Sequence, residues 1–183
     1  MDGLTAFLET ATSVLALVAG AGAVLIVAAR VLAPRLPIAA RLGGRVVAWR
    51  AELTLAVAGV STLGSLYFSE VADYVPCRLC WYQRIAMYPI AVVAVVALIR
   101  RDGNARFYVA PMALVGAGIS GYHYLIERGV LRDTESCGLF GPACADVWFE
   151  EFGFVTLAFM ALAGFVAILV VNLVPFPASK ESS

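Results

Sequence analysis

Five stretches of this 183-residue chain are apolar for long enough to cross a lipid bilayer, and that pattern limits the fold more than any motif does. They run from Leu4 to Leu32, Leu53 to Val71, Trp81 to Ile99, Phe107 to Ile126 and Phe152 to Val174. A hydrocarbon core of roughly 30 Å takes about 20 residues rising about 1.5 Å each. Lipid gives a backbone no hydrogen-bond partners, so an isolated strand is excluded and each stretch is expected to be a helix. With 62% hydrophobic and 14% charged residues, the chain lacks the charged coat of a soluble domain. An all-α integral membrane protein is expected, with the N-terminal stretch attached to a bundle of the other four.

The charges fall in clusters between these stretches. Arg30, Arg35, Arg41, Arg45 and Arg50 fill the first link, and Arg100, Arg101 and Arg106 face a single Asp102 in the third. Glu70 and Asp73 lie in the second link, and Glu127, Asp133, Glu135, Asp146, Glu150 and Glu151 in the long fourth one. The positive-inside rule then puts the arginine-rich links in the cytoplasm, the N-terminus outside and the C-terminus inside. The first stretch has no basic segment before it and is too long for a cleaved signal, so it is expected to stay as a span. The organisation read from these features is residues 1–51 as an added helix and its link, 52–174 as the main bundle, and 175–183 as a cytoplasmic tail. A formal net charge of zero gives no reason to expect nucleic acid. Gly20 and Gly22 in the first stretch, and Gly116, Gly118 and Gly121 in the fourth, offer places for close helix approach.

All four cysteines, Cys77, Cys80, Cys137 and Cys144, fall on the predicted outer side, which implies an oxidising compartment. Cys77 and Cys80 stand in PCRLCWYQR at the expected start of a helix. Unpaired N–H groups and the dipole at such a terminus are expected to favour a thiolate. The loop a C-x-x-C bridge would close is too short to staple a fold effectively, which favours a redox pair over a structural disulfide. Zinc ligation competes, but Cys137 and Cys144 are separated by GLFGPA rather than by a short gap, and no metal is expected.

Arg84 follows Cys80 by four residues and shares its helical face. It either snorkels to headgroups or serves the thiol pair, favouring a thiolate and holding a ligand's carbonyl oxygen. Trp81, Tyr82, Tyr74, Trp148 and Phe149 fit an interfacial aromatic belt. His123, the only histidine, is either a packed, hydrogen-bonded residue or a site of proton exchange with a ligand between helices.

PCRLCWYQR followed by IAMYP resembles the second-helix signature of the disulfide-bond formation protein B family, in particular its BdbC-type branch. GYHYL and the later loop with two further cysteines resemble the same branch, over roughly residues 52 to 174. The resemblance implies a four-helix bundle that reoxidises an extracytoplasmic, DsbA-like thioredoxin-fold dithiol. Electrons pass to a membrane quinone, ubiquinone or menaquinone, in the relay that keeps the bacterial periplasm oxidised. By the same resemblance, Cys77 and Cys80 are the quinone-proximal pair, with Cys80 nearest the quinone, and Arg84 and His123 match quinone-associated positions. Cys137 would form the mixed disulfide with the partner and Cys144 would communicate with Cys77. Three features depart from the family pattern: the N-terminal stretch, the short gap between the loop cysteines, and Gln83 where some members carry an acid. A vitamin K epoxide reductase-like enzyme would place its C-x-x-C after the loop cysteines, and a transmembrane reductant carrier would need thiols on both faces. A non-catalytic scaffold would hold both cysteine pairs permanently oxidised.

Overall fold

The computed structural model describes residues 3–132 and 142–175. They form six helices: α1 (Gly3–Leu32), α2 (Pro37–Ala48), α3 (Arg50–Glu70), α4 (Arg78–Arg100), α5 (Arg106–Glu127) and α6 (Leu157–Leu173). Among the described residues the only strand-like pairing is an isolated bridge between Glu151 and Val155. Helices α1, α3, α4 and α5 are long and apolar enough to cross a membrane, and α6 is a shorter apolar helix.

The last helix starts five residues later than its apolar run. Phe152 and Gly153 take left-handed backbone conformations, at φ 54° and 76°, and fold the chain back so that Glu151 and Val155 exchange backbone hydrogen bonds of 2.9 Å. Thr156 then caps α6 by accepting a hydrogen bond from the Phe159 N–H at 3.3 Å. The first link is also more ordered than a simple connection. Pro37 sits in the first turn of α2, where its missing N–H has no partner to lose, and Arg41 and Arg45 remain exposed on that helix.

Helix α6 packs against α5, α1 and α3, while α4 bridges α3 and α5. Ala58, Met87, Ile90, Val109, Ala113, Phe165 and Ile168 form the packed centre. Phe165 is fully buried because α5 gives it a glycine: a Cβ at Gly116 would lie 2.3 Å from the phenyl ring. Gly20 serves a similar purpose between α1 and α6, where its Cβ would meet that of Ala163 at 3.9 Å. Gly22 and Gly118 have open space around them, so only part of the glycine pattern marks close approach.

At the arginine-rich end, Asn172 donates to the Thr54 hydroxyl at 2.9 Å, and Arg50 Nε donates to the Val171 carbonyl at 3.0 Å. These bonds fix α3 against α6 and satisfy polar groups that lipid would leave unpaired. The opposite end, where α3 stops and α4 starts, holds the cysteines.

Gly116→Ala is expected to destabilise the fold by about 1–3 kcal/mol, the ordinary cost of overpacking. Gly118→Ala should be neutral or slightly stabilising, because its added methyl meets nothing and alanine is the better helix former. Thermal unfolding of the two variants in the same detergent checks this, and equal midpoints would contradict it.

Candidate active site

Cys77 is the N-cap of α4. Pro76 leads into it, its backbone is extended at φ −70° and ψ 173°, and its sulfur accepts from the Cys80 N–H at 3.3 Å. The C-x-x-C spacing therefore coincides with the N-cap to N3 spacing of a helix start, and a thiol does what a serine side chain usually does there. The two Sγ atoms lie 2.9 Å apart and are not bridged. Cys77 is buried and Cys80 half-buried.

The expectation of a stabilised thiolate does not hold for Cys77. Its hydrogen bond with Cys80, and next its burial, push the thiol up to about 12, against the smaller opposing influence of His123. The cap geometry explains why. The Cys77 sulfur receives one backbone N–H, but it stands in an apolar surround beside a second sulfur, and two neighbouring thiols resist ionising together.

His123 on α5 sits against this sulfur. Its Nε2 lies 3.7 Å from Cys77 Sγ and 3.1 Å from the Cys144 carbonyl oxygen, and its Nδ1 lies 3.1 Å from the Gln83 side-chain nitrogen. A carbonyl can only accept, so Nε2 carries a proton and donates; in the neutral ring Nδ1 then accepts from the Gln83 amide. One turn on, Glu127 Oε1 approaches His123 Nε2 at 3.7 Å, and Thr156 donates to the other carboxylate oxygen. Cys144, in the segment before α6, is buried beside them.

The ligand atoms of Cys77, His123 and Cys144 all lie within 4.8 Å of one another. Three such donors resemble part of a zinc set, yet a structural zinc site takes four, and both His123 nitrogens already serve hydrogen bonds. The spacing suits sulfur exchange between Cys77 and Cys144 with an imidazole alongside. Cys137 lies outside the described residues.

On the other side of the pair, Cys80 lines a cavity of about 370 Å³ together with Gln83, Arg84, Met87, Tyr88 and Trp148. Arg84 is half-buried, donates through Nη2 to the Ser65 carbonyl of α3 at 2.9 Å, and lies 5.3 Å from the centre of the Trp81 ring. That bond is the only one its guanidinium makes among the described residues, so most of its donors are available to a ligand. A largely apolar space with one cation and one thiol suits an apolar ligand with a hydrogen-bond acceptor. His123 is not among the lining residues.

Tyr74 stacks on Phe68 at 5.7 Å and on Trp148 at 5.0 Å, with Phe149 beside them. These residues form a packed cap over the site, a more specific arrangement than a belt, while Trp81 and Tyr82 remain exposed. Two residues of the site went unassigned from sequence. Gln83 was visible only as a departure from a family pattern, and Glu127 read as a loop charge. The available signal was the spacing of His123 and Glu127, one helical turn apart on the same face.

The family model for disulfide bond formation protein DsbB matches residues 47–175, more than half of the chain. The chain belongs to the DsbB family. It is a multi-pass membrane protein of disulfide bond formation, with the oxidoreductase chemistry of thiols and disulfides that this role requires. Disulfide bond formation protein C of Bacillus subtilis (strain 168) is 42% identical over 115 residues, covering 62% of this chain and 83% of that protein. Probable disulfide formation protein C 1 of Bacillus anthracis is 41% identical over 115 residues, covering 63% and 83%. The SPbeta prophage-derived disulfide bond formation protein B of Bacillus subtilis (strain 168) is 37% identical over 122 residues, covering 66% and 80%. No solved structure gives a significant match.

The raised Cys77 pKa has a direct readout in the reduced protein. Alkylation of an ordinary thiol levels off near its pKa of about 9, whereas the rate at Cys77 should keep rising roughly tenfold per pH unit beyond that point, toward about 12. Peptide mapping by mass spectrometry after timed iodoacetamide labelling measures it. A plateau near pH 9 would show that Cys77 ionises as an ordinary thiol.

Proposed function

We propose that this protein is a membrane thiol:quinone oxidoreductase that reoxidises an extracytoplasmic thioredoxin-fold dithiol, with its thiol end facing the cell exterior. The observation that carries the reading is the sequence of sulfur contacts. Cys144 reaches Cys77 within 4.8 Å, Cys77 reaches Cys80 at 2.9 Å, and Cys80 opens on the apolar cavity beside Arg84.

The reduced partner attacks a Cys137–Cys144 disulfide at Cys137, forming a mixed disulfide and releasing Cys144 as a thiolate. The partner's second thiol displaces Cys137, so the partner leaves oxidised and the loop pair holds two electrons. Cys144 then attacks Cys77 of an oxidised Cys77–Cys80 pair, and Cys80 leaves as the thiolate. Cys137 resolves the Cys144–Cys77 bond, regenerating the loop disulfide and freeing Cys77. A bound quinone supplies the acceptor for the two electrons and two protons then held at Cys77 and Cys80.

The buried residues have distinct parts in this scheme. Cys80 is the better leaving group because Cys77 retains its proton, which directs attack to Cys77. His123 lies beside the exchanging sulfurs and gives or takes a proton there; Gln83 and Glu127 are positioning residues that fix its ring. His123 is thereby assigned to the exchange step rather than to the quinone. Arg84 holds a carbonyl oxygen of the acceptor.

Cys144→Ser leaves Cys137 without its resolving thiol. Incubation with an oxidised thioredoxin-fold partner should trap a Cys137 mixed disulfide, seen as a reducible adduct on non-reducing gels. Purified protein that forms no adduct would remove Cys137 and Cys144 from the exchange route.

Catalysis itself is tested with a reduced thioredoxin-fold protein and short-chain ubiquinone or menaquinone, following quinone absorbance. Wild type should turn over many times with at least one of them. Arg84→Ala should raise the quinone KM by about tenfold to a hundredfold, as expected for a lost charged hydrogen bond, with the thermal midpoint little changed. No turnover by wild type with either quinone would overturn the proposal, and an unchanged KM would return Arg84 to a headgroup-anchoring role.

A further inference from the structure

The family model begins at residue 47, so α1 lies wholly outside the segment it matches. Most faces of α1 are exposed, and a bystander helix would also touch the bundle loosely. Helix α1 instead seats one narrow face of small and polar residues, Glu9, Ser13, Ala16, Gly20 and Ala23, recurring every three or four positions. Ser13 donates to Met160 Sδ of α6 at 3.7 Å, and Thr5 meets the Tyr67 hydroxyl of α3 at 3.2 Å. Glu9 is 4% exposed and accepts a hydrogen bond from Tyr74, the residue whose ring stacks on Trp148. A carboxylate buried at that depth is retained at a cost unless it is bonded, so this contact fixes the register of α1 against the aromatic cap.

The consequence of that register is seen in the cavity. Thr12, Leu15, Ala16, Val18 and Ala19 of α1 line the same space as Cys80 and Arg84. Both α1 and α3 pack on α6, yet they have few contacts with each other. They approach at Thr12 and Gly64, both in the cavity lining, where a glycine Cβ would lie 3.8 Å from the threonine methyl. From Thr12 to Ala19 the helix rises about 10 Å. The lining combines the polar group of Cys80, Gln83 and Arg84 with aliphatic residues such as Leu15, Val18, Val57 and Val60.

Resting on the quinone-oxidoreductase reading, we propose that α1 is a wall of the quinone site: Leu15, Val18 and Ala19 bind the first isoprenoid stretch of the acceptor while its ring lies at Arg84 and Cys80. The four-helix unit supplies the thiols and the cation. The added helix supplies the apolar surface that selects and retains a tailed quinone. Its glycine and alanine face provides the close approach to α6 that keeps the wall in place.

The test uses full-length protein in detergent and measures binding by quenching of tryptophan fluorescence, since Trp148 lines the cavity. Probes are ubiquinone and menaquinone analogues with two isoprenoid units, and the corresponding rings without a tail. Ala19→Phe fills the cavity from the α1 side and should weaken binding of the tailed quinones by about tenfold or more. Val14→Phe, on an exposed position of α1 outside the cavity, should leave binding at the wild-type value. Leu15→Ala removes wall surface and should weaken the tailed probes a few-fold while leaving the tail-free rings unchanged, which decides the matter alone if the larger side chain prevents folding. Equal affinity for tailed quinones in wild type, Ala19→Phe and Leu15→Ala would overturn the role of α1 and leave the functional reading intact. Wild type that binds and reduces no quinone would overturn the functional reading instead.

Discussion

At the start of α4, the Cys80 N–H would lack a helical partner and takes the sulfur of Cys77. That bond fixes where the helix begins, and with it the direction of every side chain on its first three turns. Gln83 points to His123 on α5, Arg84 to Ser65 on α3, and Cys80 to the cavity. A helix starting one residue later would rotate these groups by about 100° and separate them from their partners. The motif is therefore a structural device before it is a chemical one, because the spacing that allows the thiols to meet is also the spacing of a cap.

Burial gives the rest of the site its order. Gln83 is 8% and His123 2% exposed in a region whose surroundings are otherwise apolar. Unpaired polar atoms there would each cost on the order of 1–3 kcal/mol, so the hydrogen bonds among Gln83, His123, Cys144, Glu127 and Thr156 constrain one another. They come from four parts of the chain: Gln83 from α4, His123 and Glu127 from α5, Cys144 from the segment before α6, and Thr156 from the α6 cap. The same bonds that satisfy these atoms hold the loop cysteine against the helix-capping one. Stability and positioning are carried here by one network, so a change at Gln83 acts on the imidazole and, through it, on two sulfurs.

Much of this was legible in the apolar runs and the C-x-x-C motif, since bilayer thickness and backbone hydrogen bonding leave a chain of this kind little choice but helices. The start of α6 was not, because Phe152 and Phe154 read as apolar span while the left-handed pair Phe152–Gly153 makes them part of a turn. Arg84 has two readings that sequence leaves equal; what the fold adds is a bond to the Ser65 backbone carbonyl on a neighbouring helix, a partner 19 positions away in the chain. For Cys77, helix-dipole reasoning pointed toward a lowered pKa, and the neighbouring sulfur together with burial reverses it. The lesson is one of sign: a terminus favours an anion only where no second acidic group competes for the same place. Tyr74 and Glu9, 65 positions apart, show the same limit, because a buried carboxylate in an apolar run declares that it needs a partner without naming which.

The two cysteines of the motif face different surroundings, and this difference gives the proposed circuit a direction. Cys77 is closed off by His123 and Cys144 on a side rich in hydrogen bonds, where protons can be handed on. Cys80 lies against the wall of an apolar cavity that water enters at a cost, and the proposed circuit puts its lipid-soluble acceptor there. A pair with both sulfurs on the His123 side would exchange with the loop but leave the acceptor out of reach. With both on the apolar side, the loop could not reach them. One helix turn separates the two environments, and the cap bond that joins Cys77 to Cys80 spans the boundary between them.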